Sequence, residues 1–304
     1  MKYHIATRGS KLALFQANHV QSEIRRLFPE HEWELEIVTT TGDKFLDRPL
    51  SDFGGKGAFL KEIEEAMLAG RAQLAVHSLK DVPSIETPGL QLSAFLPRED
   101  PRDVWVCKRE DLFHLPPGSK VGTSSLRRQI LLRFFRPDLN IEMLRGNLDT
   151  RIRKLREDRY DAIVVAAAGL HRLQLFDDSI MQYFQEEAFI PAIGQAVMAV
   201  QTAASAAGVH GMARALNHAP SETAARIERA FLSFYEGGCQ LPIGGLARQA
   251  GEKWRFRAFI GGVKSHRIIQ DLVEESDPGA CARLMFNQLE AQGARQLLAE
   301  LNAV

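Results

Sequence analysis

Five short stretches carry residue types that could do chemistry. In "YEGGCQLPIGG" (235–245), Cys239 stands between two glycine pairs. Cysteine usually behaves as a small buried hydrophobe, so glycine on both sides is an unusual setting for a packing residue. The bend either lets something approach the sulfur or carries a spare loop thiol. "AVHSLKDVPS" (75–84) leaves an apolar run and delivers His77, Ser78, Lys80 and Asp81 before Pro83. It reads as a catalytic rim or as a turn with a salt-bridged lysine, and a lone His77 is more often a satisfied core residue than a catalyst. "VGTSSLRRQ" (121–129) sets Thr123 and Ser125 at a helix start, where unpaired N–H groups and the helix dipole attract an anion. Arg127 and Arg128 add fixed charge there; an ordinary hydroxyl cap with two solvated arginines is the other reading. "LRGNLDTR" (144–151) repeats the logic, with Arg145 ending a strand, Asn147 placed to cap a helix and Arg151 in its first turns. "ATRGS" (6–10) offers Arg8 and Ser10 in the same setting near the start of the chain.

The charge distribution favours small anions over nucleic acid. Formal net charge over the 304 residues is zero, which removes the simple case for a nucleic-acid partner. Between Lys120 and Tyr160, however, nine arginines and two lysines face five acids. Arginine, whose planar fork grips carboxylates and phosphates through two bonds, dominates this excess. Neither a Walker loop nor a GxGxxG fingerprint is present, so nucleotide binding has little support. No metal site is expected, since there is no HExxH and no carboxylate cluster at ligand spacing. A hydrolase triad lacks its GxSxG elbow. Cys107, Cys239 and Cys281 make an odd number with no CxxC pair, so reduced thiols are expected. No secretory leader or membrane-spanning run is read, and the chain is expected in the cytoplasm.

Positioning these residues requires alternating strands and helices. A strand over 2–7 leads to a helix capped by Ser10, with Ala13, Ala17, Val20, Ile24 and Leu27 on one face and a stop at Pro29. A strand over 33–39, a polar glycine-rich loop over 40–56 and a helix over 56–70 with Leu60, Ile63 and Met67 inward follow. Strands over 73–78 and 90–96 precede a charged, proline-bearing crossing at 97–103. The next unit runs through strand 103–107, a helix to about Phe135, strand 140–144, a helix from about Leu148 and strand 161–167. "IPAIG" marks a second crossing, and strand 196–201 returns the chain to the first domain. Helix 221–234, the Cys239 bend, strands 254–260 and 267–273, and a helix over 280–301 with Cys281, Leu284, Met285 and Leu289 inward end the chain. The pattern predicts an α/β protein with mostly parallel sheets covered on both faces and a small α+β C-terminal domain. Domain 1 takes 1–97 with 196–216, domain 2 takes 101–192 and domain 3 takes 219–304. The arginine stretches then fall at the carboxyl ends of strands, where open α/β sheets bind ligands. An anion gripped from both larger domains would account for them.

Taken together, "IATRGSKLALFQA", "GGKGAFLKEIE", "AVHSLKDVP", "EDPRD", "VGTSSLRRQ", "LRGNLDTR", "YDAIVVAAAGLHRL" and "EGGCQLPIGG" resemble, in order and spacing, the porphobilinogen deaminase (hydroxymethylbilane synthase) family. The resemblance spans nearly the whole chain. It implies two domains like the halves of periplasmic binding proteins and a third carrying the cysteine. It also implies a dipyrromethane cofactor bound to Cys239 through a thioether, onto which four porphobilinogen molecules condense head to tail, with loss of ammonia, before water releases the linear tetrapyrrole. Carried across by motif, Arg8, Ser10, Lys80, Asp81, Thr123, Ser125, Arg127, Arg128, Arg145 and Arg151 would hold the cofactor. Arg8, Arg145, Arg151, Arg172, Ser78, Lys56 and Phe59 would meet the substrate. Asp81 would be the catalytic carboxylate, stabilising positive charge as it develops, and residues 42–56 would form a mobile segment over the cleft. The implied partner is a small molecule, with no nucleic acid or membrane and a monomeric chain. Four positions depart from the family pattern: His4 for arginine, Asp52 for lysine, Ala196 for glycine and Gln201 for glutamate. The competing expectation is a cytosolic two-domain anion-binding module, or an inactive homologue; both leave Asp81 and Cys239 without a task.

Overall fold

The computed structural model describes residues 1–44, 59–108, 111–235 and 241–303. In chain order, β1 (Lys2–Arg8), α1 (Lys11–Leu27), β2 (Glu32–Val38), a short α2 (Thr41–Lys44), α3 (Lys61–Leu68) and β3 (Leu74–Ser78) lead to a single 3-10 turn at Leu79–Asp81 and then β4 (Leu90–Phe95). Next come β5 (Asp103–Cys107), β6 (Lys120–Gly122), α4 (Leu126–Phe135), β7 (Asn140–Glu142), α5 (Leu148–Arg156), β8 (Ala162–Ala166), α6 (Ala167–Arg172) and β9 (Met181–Tyr183). The remainder is β10 (Met198–Ala203), α7 (Ala207–Arg214), α8 (Ala219–Ser233), β11 (Ile243–Ala250), β12 (Lys253–Gly261), β13 (Ile268–Glu275), α9 (Pro278–Ala291), α10 (Ala294–Ala299) and a last 3-10 turn. No helix among the described residues is long and apolar enough to cross a membrane.

The strands pair into three sheets among the described residues. One has the order β2-β1-β3-β10-β4, a second β7-β6-β8-β5-β9 and a third, antiparallel throughout, β11-β12-β13. In the first sheet only β10 runs against its neighbours, and in the second only β5 does. The fold is therefore α/β with mostly parallel sheets, completed by an α+β C-terminal region. The reversed strands have a positional consequence. Met198, which opens β10, pairs with Ser78, which closes β3, and Asp103, which opens β5, pairs with Ala166, which closes β8. Both reversed strands thus begin at the edge where the parallel strands end.

Two compact units result, Met1–Glu99 with Ala196–Ala225, and Asp100–Gln195 with Arg226–Val304. In the first unit, alternate residues of each strand face opposite sides. Ile5, Leu74 and Val76 pack with Ala17, Val20 and Ile24 of α1, while Ala6 and Ala75 pack with Ile63 and Met67 of α3. Each fully buried large aliphatic side chain contributes about 1.5–3 kcal/mol, so the helical stripes and the strand alternation fix one helix on each face of the sheet. In the second unit, Val121, Ala162 and Val164 join Leu131 and Leu132 of α4 on one face, and Ile163 and Val165 join Ile152 and Leu155 of α5 on the other.

Several sequence expectations need correction. The final helix is two, because Gly293 takes the left-handed value φ = +97° between α9 and α10. Leu284 and Leu27, expected inward, are each 37% exposed. Gly244 and Gly245, expected in an open bend, lie in β11 instead. A Cβ at Gly244 would come within 2.8 Å of the Pro191 carbonyl, and one at Gly245 within 2.7 Å of the Ile193 side chain. Gly245 N–H donates to that Pro191 oxygen at 2.9 Å. Those glycines admit the close approach of the Pro191 carbonyl and of the Ile193 and Phe256 side chains.

Candidate active site

In the first unit, β1 ends at Arg8 and α1 begins after Ser10, whose hydroxyl accepts from the Ala13 N–H at 3.3 Å. The Arg8 guanidinium lies 3.9 Å from the centre of the Phe59 ring, a cation–π stack. The ring in turn covers Gly42, where an added Cβ would collide with it. β3 delivers Ser78, whose hydroxyl pairs with the buried Gln16 amide at 3.0 and 3.3 Å. The 3-10 turn is fixed by Leu79 N–H donating to Val197 O at 2.9 Å and Val82 N–H donating to Leu79 O at 3.0 Å. That turn carries Asp81 out to an exposed position with Lys80 half-buried beside it. Arg8, Ser10, Gln16, Phe59, His77, Ser78 and Asp81 line one open pocket. One cation, two hydroxyls and an aromatic face suit a carboxylate on a flat ring, and Asp81 supplies negative charge to the same space.

Behind this pocket runs a relay that the sequence reading did not find, buried at His77 and Gln201 and half-buried at Glu64 and Thr87. His77 Nε2 lies 3.0 Å from Gln201 Oε1, Gln201 Nε2 donates to Glu64 Oε1 at 3.0 Å, and the Thr87 hydroxyl donates to Glu64 Oε2 at 2.7 Å. Burial lowers the His77 pKa to about 4, against the opposing effect of its bond to Gln201. The expectation that His77 is a core residue holds for its burial, yet it also lines the pocket. His4 lies mid-strand in β1, where its N–H donates to Gln73, and does not line the pocket.

The second unit brings Thr123, Ser125, Arg127 and Arg128 together where β6 ends. Ser125 caps α4, its hydroxyl accepting from Arg128 N–H at 3.5 Å, and its own N–H donates to the buried Thr123 hydroxyl at 3.3 Å. Arg127 donates to Asp103 Oδ2 at 2.6 Å and to Ile190 O at 2.7 Å. Arg128 donates to Asp103 Oδ1 at 2.7 and 3.2 Å and to Val164 O at 2.9 Å. Gln195 Nε2 adds a fourth donation to Asp103 at 3.0 Å. Complete burial of Asp103 would raise its pKa, but the two guanidiniums hold it down at about 2. Asp103 was missed as the partner of these arginines; the only signal was its place in "EDPRD". Arg145, Arg151 and Arg172 are half-buried, with Arg151 Nε donating to Gly146 O at 2.8 Å and Arg172 ending α6. Asn147 stands at the N-cap of α5 but makes no side-chain cap bond.

Cys239, Lys56 and Asp52, and most of the 42–56 segment, lie outside the described residues. Cys107 and Cys281 are buried, and burial together with Glu275 and Asp277 pushes the Cys281 thiol up to about 11, which leaves it a packing residue. The crossing into β10 is held by Glu228, which accepts from Gly194 N–H at 2.7 Å and from Ala247 N–H at 2.9 Å.

The family model described as "Porphobilinogen deaminase, dipyromethane cofactor binding domain" matches residues 3–210, and that for "Porphobilinogen deaminase, C-terminal domain" matches residues 223–289. The porphobilinogen deaminase of Geobacter sulfurreducens is 43% identical over 99% of this chain and 95% of its own length. That of Roseiflexus sp. is 46% identical over 97% and 98%. Among solved structures, the VFT2 domain of Bordetella pertussis BvgS is similar at a TM-score of 0.45, with 13% identity over 75% of this chain and 90% of that one. Matches of this length and identity, over a chain whose Arg8, Ser78 and Asp81 converge on one pocket, establish that it belongs to the porphobilinogen deaminase family.

Proposed function

We propose that this chain deaminates porphobilinogen and joins four molecules head to tail on a dipyrromethane held by Cys239, then releases linear hydroxymethylbilane by hydrolysis. The observation that carries the reading is the convergence of Arg8, Ser10, Phe59, Ser78 and Asp81 on one pocket. These residues fit a pyrrole bearing acetate and propionate: Arg8 and the hydroxyls of Ser10 and Ser78 take carboxylates, the Phe59 face orders Arg8, and Asp81 accepts from a ring N–H. A bound dipyrromethane would supply the pyrrole end to which the first unit is joined, each later unit joining the one before it.

Asp81 is the catalytic residue in this account. As ammonia leaves, positive charge develops over the pyrrole, and a carboxylate already in place stabilises it without reorganisation. The same group manages the proton lost from the ring carbon during coupling. Lys80, Thr123, Ser125, Arg145, Arg151 and Arg172 serve further carboxylates of the growing chain, as do the Arg127 and Arg128 N–H groups not engaged by Asp103 and the Ile190 and Val164 carbonyls; Lys56 belongs to the same set. The chain acts as a cytoplasmic monomer divided into the three domains of the sequence reading.

The test is Asp81→Asn, which keeps the side-chain shape. Turnover should fall about 10²–10³-fold while the purified protein keeps its dipyrromethane mass. A rate near that of the unaltered protein would remove Asp81 from this role.

A further inference from the structure

We propose that Gln201 and Glu64 are positioning residues that hold His77 as the neutral Nε2–H tautomer, leaving Nδ1 as a fixed hydrogen-bond acceptor in the pocket that contains Arg8, Ser78 and Asp81. The inference rests on the catalytic reading of that pocket. A carboxylate can only accept, so the Gln201 group 3.0 Å from Glu64 Oε1 is the amide nitrogen, and its carbonyl Oε1 is the atom facing His77. An amide orientation is usually ambiguous, but here the carboxylate decides it. A carbonyl oxygen in turn requires the imidazole Nε2 to donate. In an uncharged ring Nδ1 then carries the lone pair. The Thr87 hydroxyl anchors the other Glu64 oxygen at 2.7 Å, so the far end of the relay is tied down as well.

The charged groups around the ring come from three elements: Arg8 from β1, Glu64 from α3 and Asp81 from the turn after β3. A protonated His77 would add a cation to a pocket where positive charge must develop, and it would compete for Asp81. Burial prevents this: the ring is 6% exposed, and the neutral Gln201 carbonyl offsets only part of the cost of an imidazolium because it is no ionic partner. A glutamate at 201 would reverse the situation, placing a second carboxylate beside Glu64 and next to the imidazole. A neutral acceptor also matches the N–H of a pyrrole.

The experiment is 15N NMR of the histidine side chains in the full-length protein across pH, for the unaltered chain, Gln201→Glu and Glu64→Gln, alongside kcat over the same range. In the unaltered chain His77 should show a protonated Nε2, an unprotonated Nδ1 and no titration above about pH 5. Gln201→Glu should raise the His77 pKa by at least about one unit, with kcat falling about tenfold per pH unit below the new value. Glu64→Gln, which keeps the packing but frees the amide to turn, should give mixed tautomers. A Nδ1–H tautomer in the unaltered chain, titration near 6.5, or an unshifted His77 in Gln201→Glu would each overturn the proposal. The NMR readout needs no turnover, so its failure is distinguishable from failure of the Asp81 assignment.

Discussion

Asp103 is held between Arg127 and Arg128 with no surface exposed, and this single carboxylate ties the start of β5 to the first turn of α4. Its folded pKa of about 2 lies below the ordinary 3.8. A depressed carboxylate contributes stability that is present above the unfolded pKa and lost as pH falls through the folded one, here on the order of 2 kcal/mol lost between about pH 4 and pH 2. Replacing Asp103 by Asn keeps the shape but strands two buried guanidiniums. Urea unfolding at neutral pH should show a loss of about 3–5 kcal/mol, and an unchanged midpoint would contradict the assignment. The sequence exposed the need of Arg127 and Arg128 for an anion but not its source. The partner lies 24 and 25 residues earlier and is brought back by antiparallel pairing of β5 with β8, which no local pattern announces.

The element most at odds with its residues is the crossing that enters β10. Ala196 has φ = +72°, a left-handed conformation that costs an L side chain free energy and that glycine adopts readily. The departure from glycine noted in the sequence is therefore a departure at a position whose backbone favours glycine. Ala196→Gly should raise stability by about 1 kcal/mol once the extra freedom of the unfolded chain is subtracted, measured as a higher urea midpoint with unchanged slope; a lower midpoint would mean that the Ala196 methyl packs better than the strain costs. Long amphipathic elements such as α1 and α8 were legible because many residues repeat one face. Three-residue strands such as β6 and β9 show no period to read, and β11 was hidden because its glycines imitate a turn.

At the scale of the molecule, two sheets of matching strand order each place their polar residues at the carboxyl edge: Arg8, Ser78 and Asp81 on one, Thr123, Ser125, Arg127 and Arg128 on the other. Fold class and the identity of these stretches followed from alternation and motif spacing, whereas the division of labour at each edge depends on side-chain geometry. Arg8 stacks on Phe59 in a pocket, while Arg127 and Arg128 turn inward to Asp103. The central claim is that one chain carries its own primer and lengthens it stepwise. The most direct measurement is the intact mass of the purified, denatured protein before and after addition of porphobilinogen, with peptide mapping of any adduct. The account predicts a fixed extra mass equal to a dipyrromethane on Cys239, followed by a ladder of added pyrrole units. An unmodified chain that also fails to load when given cofactor precursor, or an adduct on Cys107 or Cys281, would contradict it.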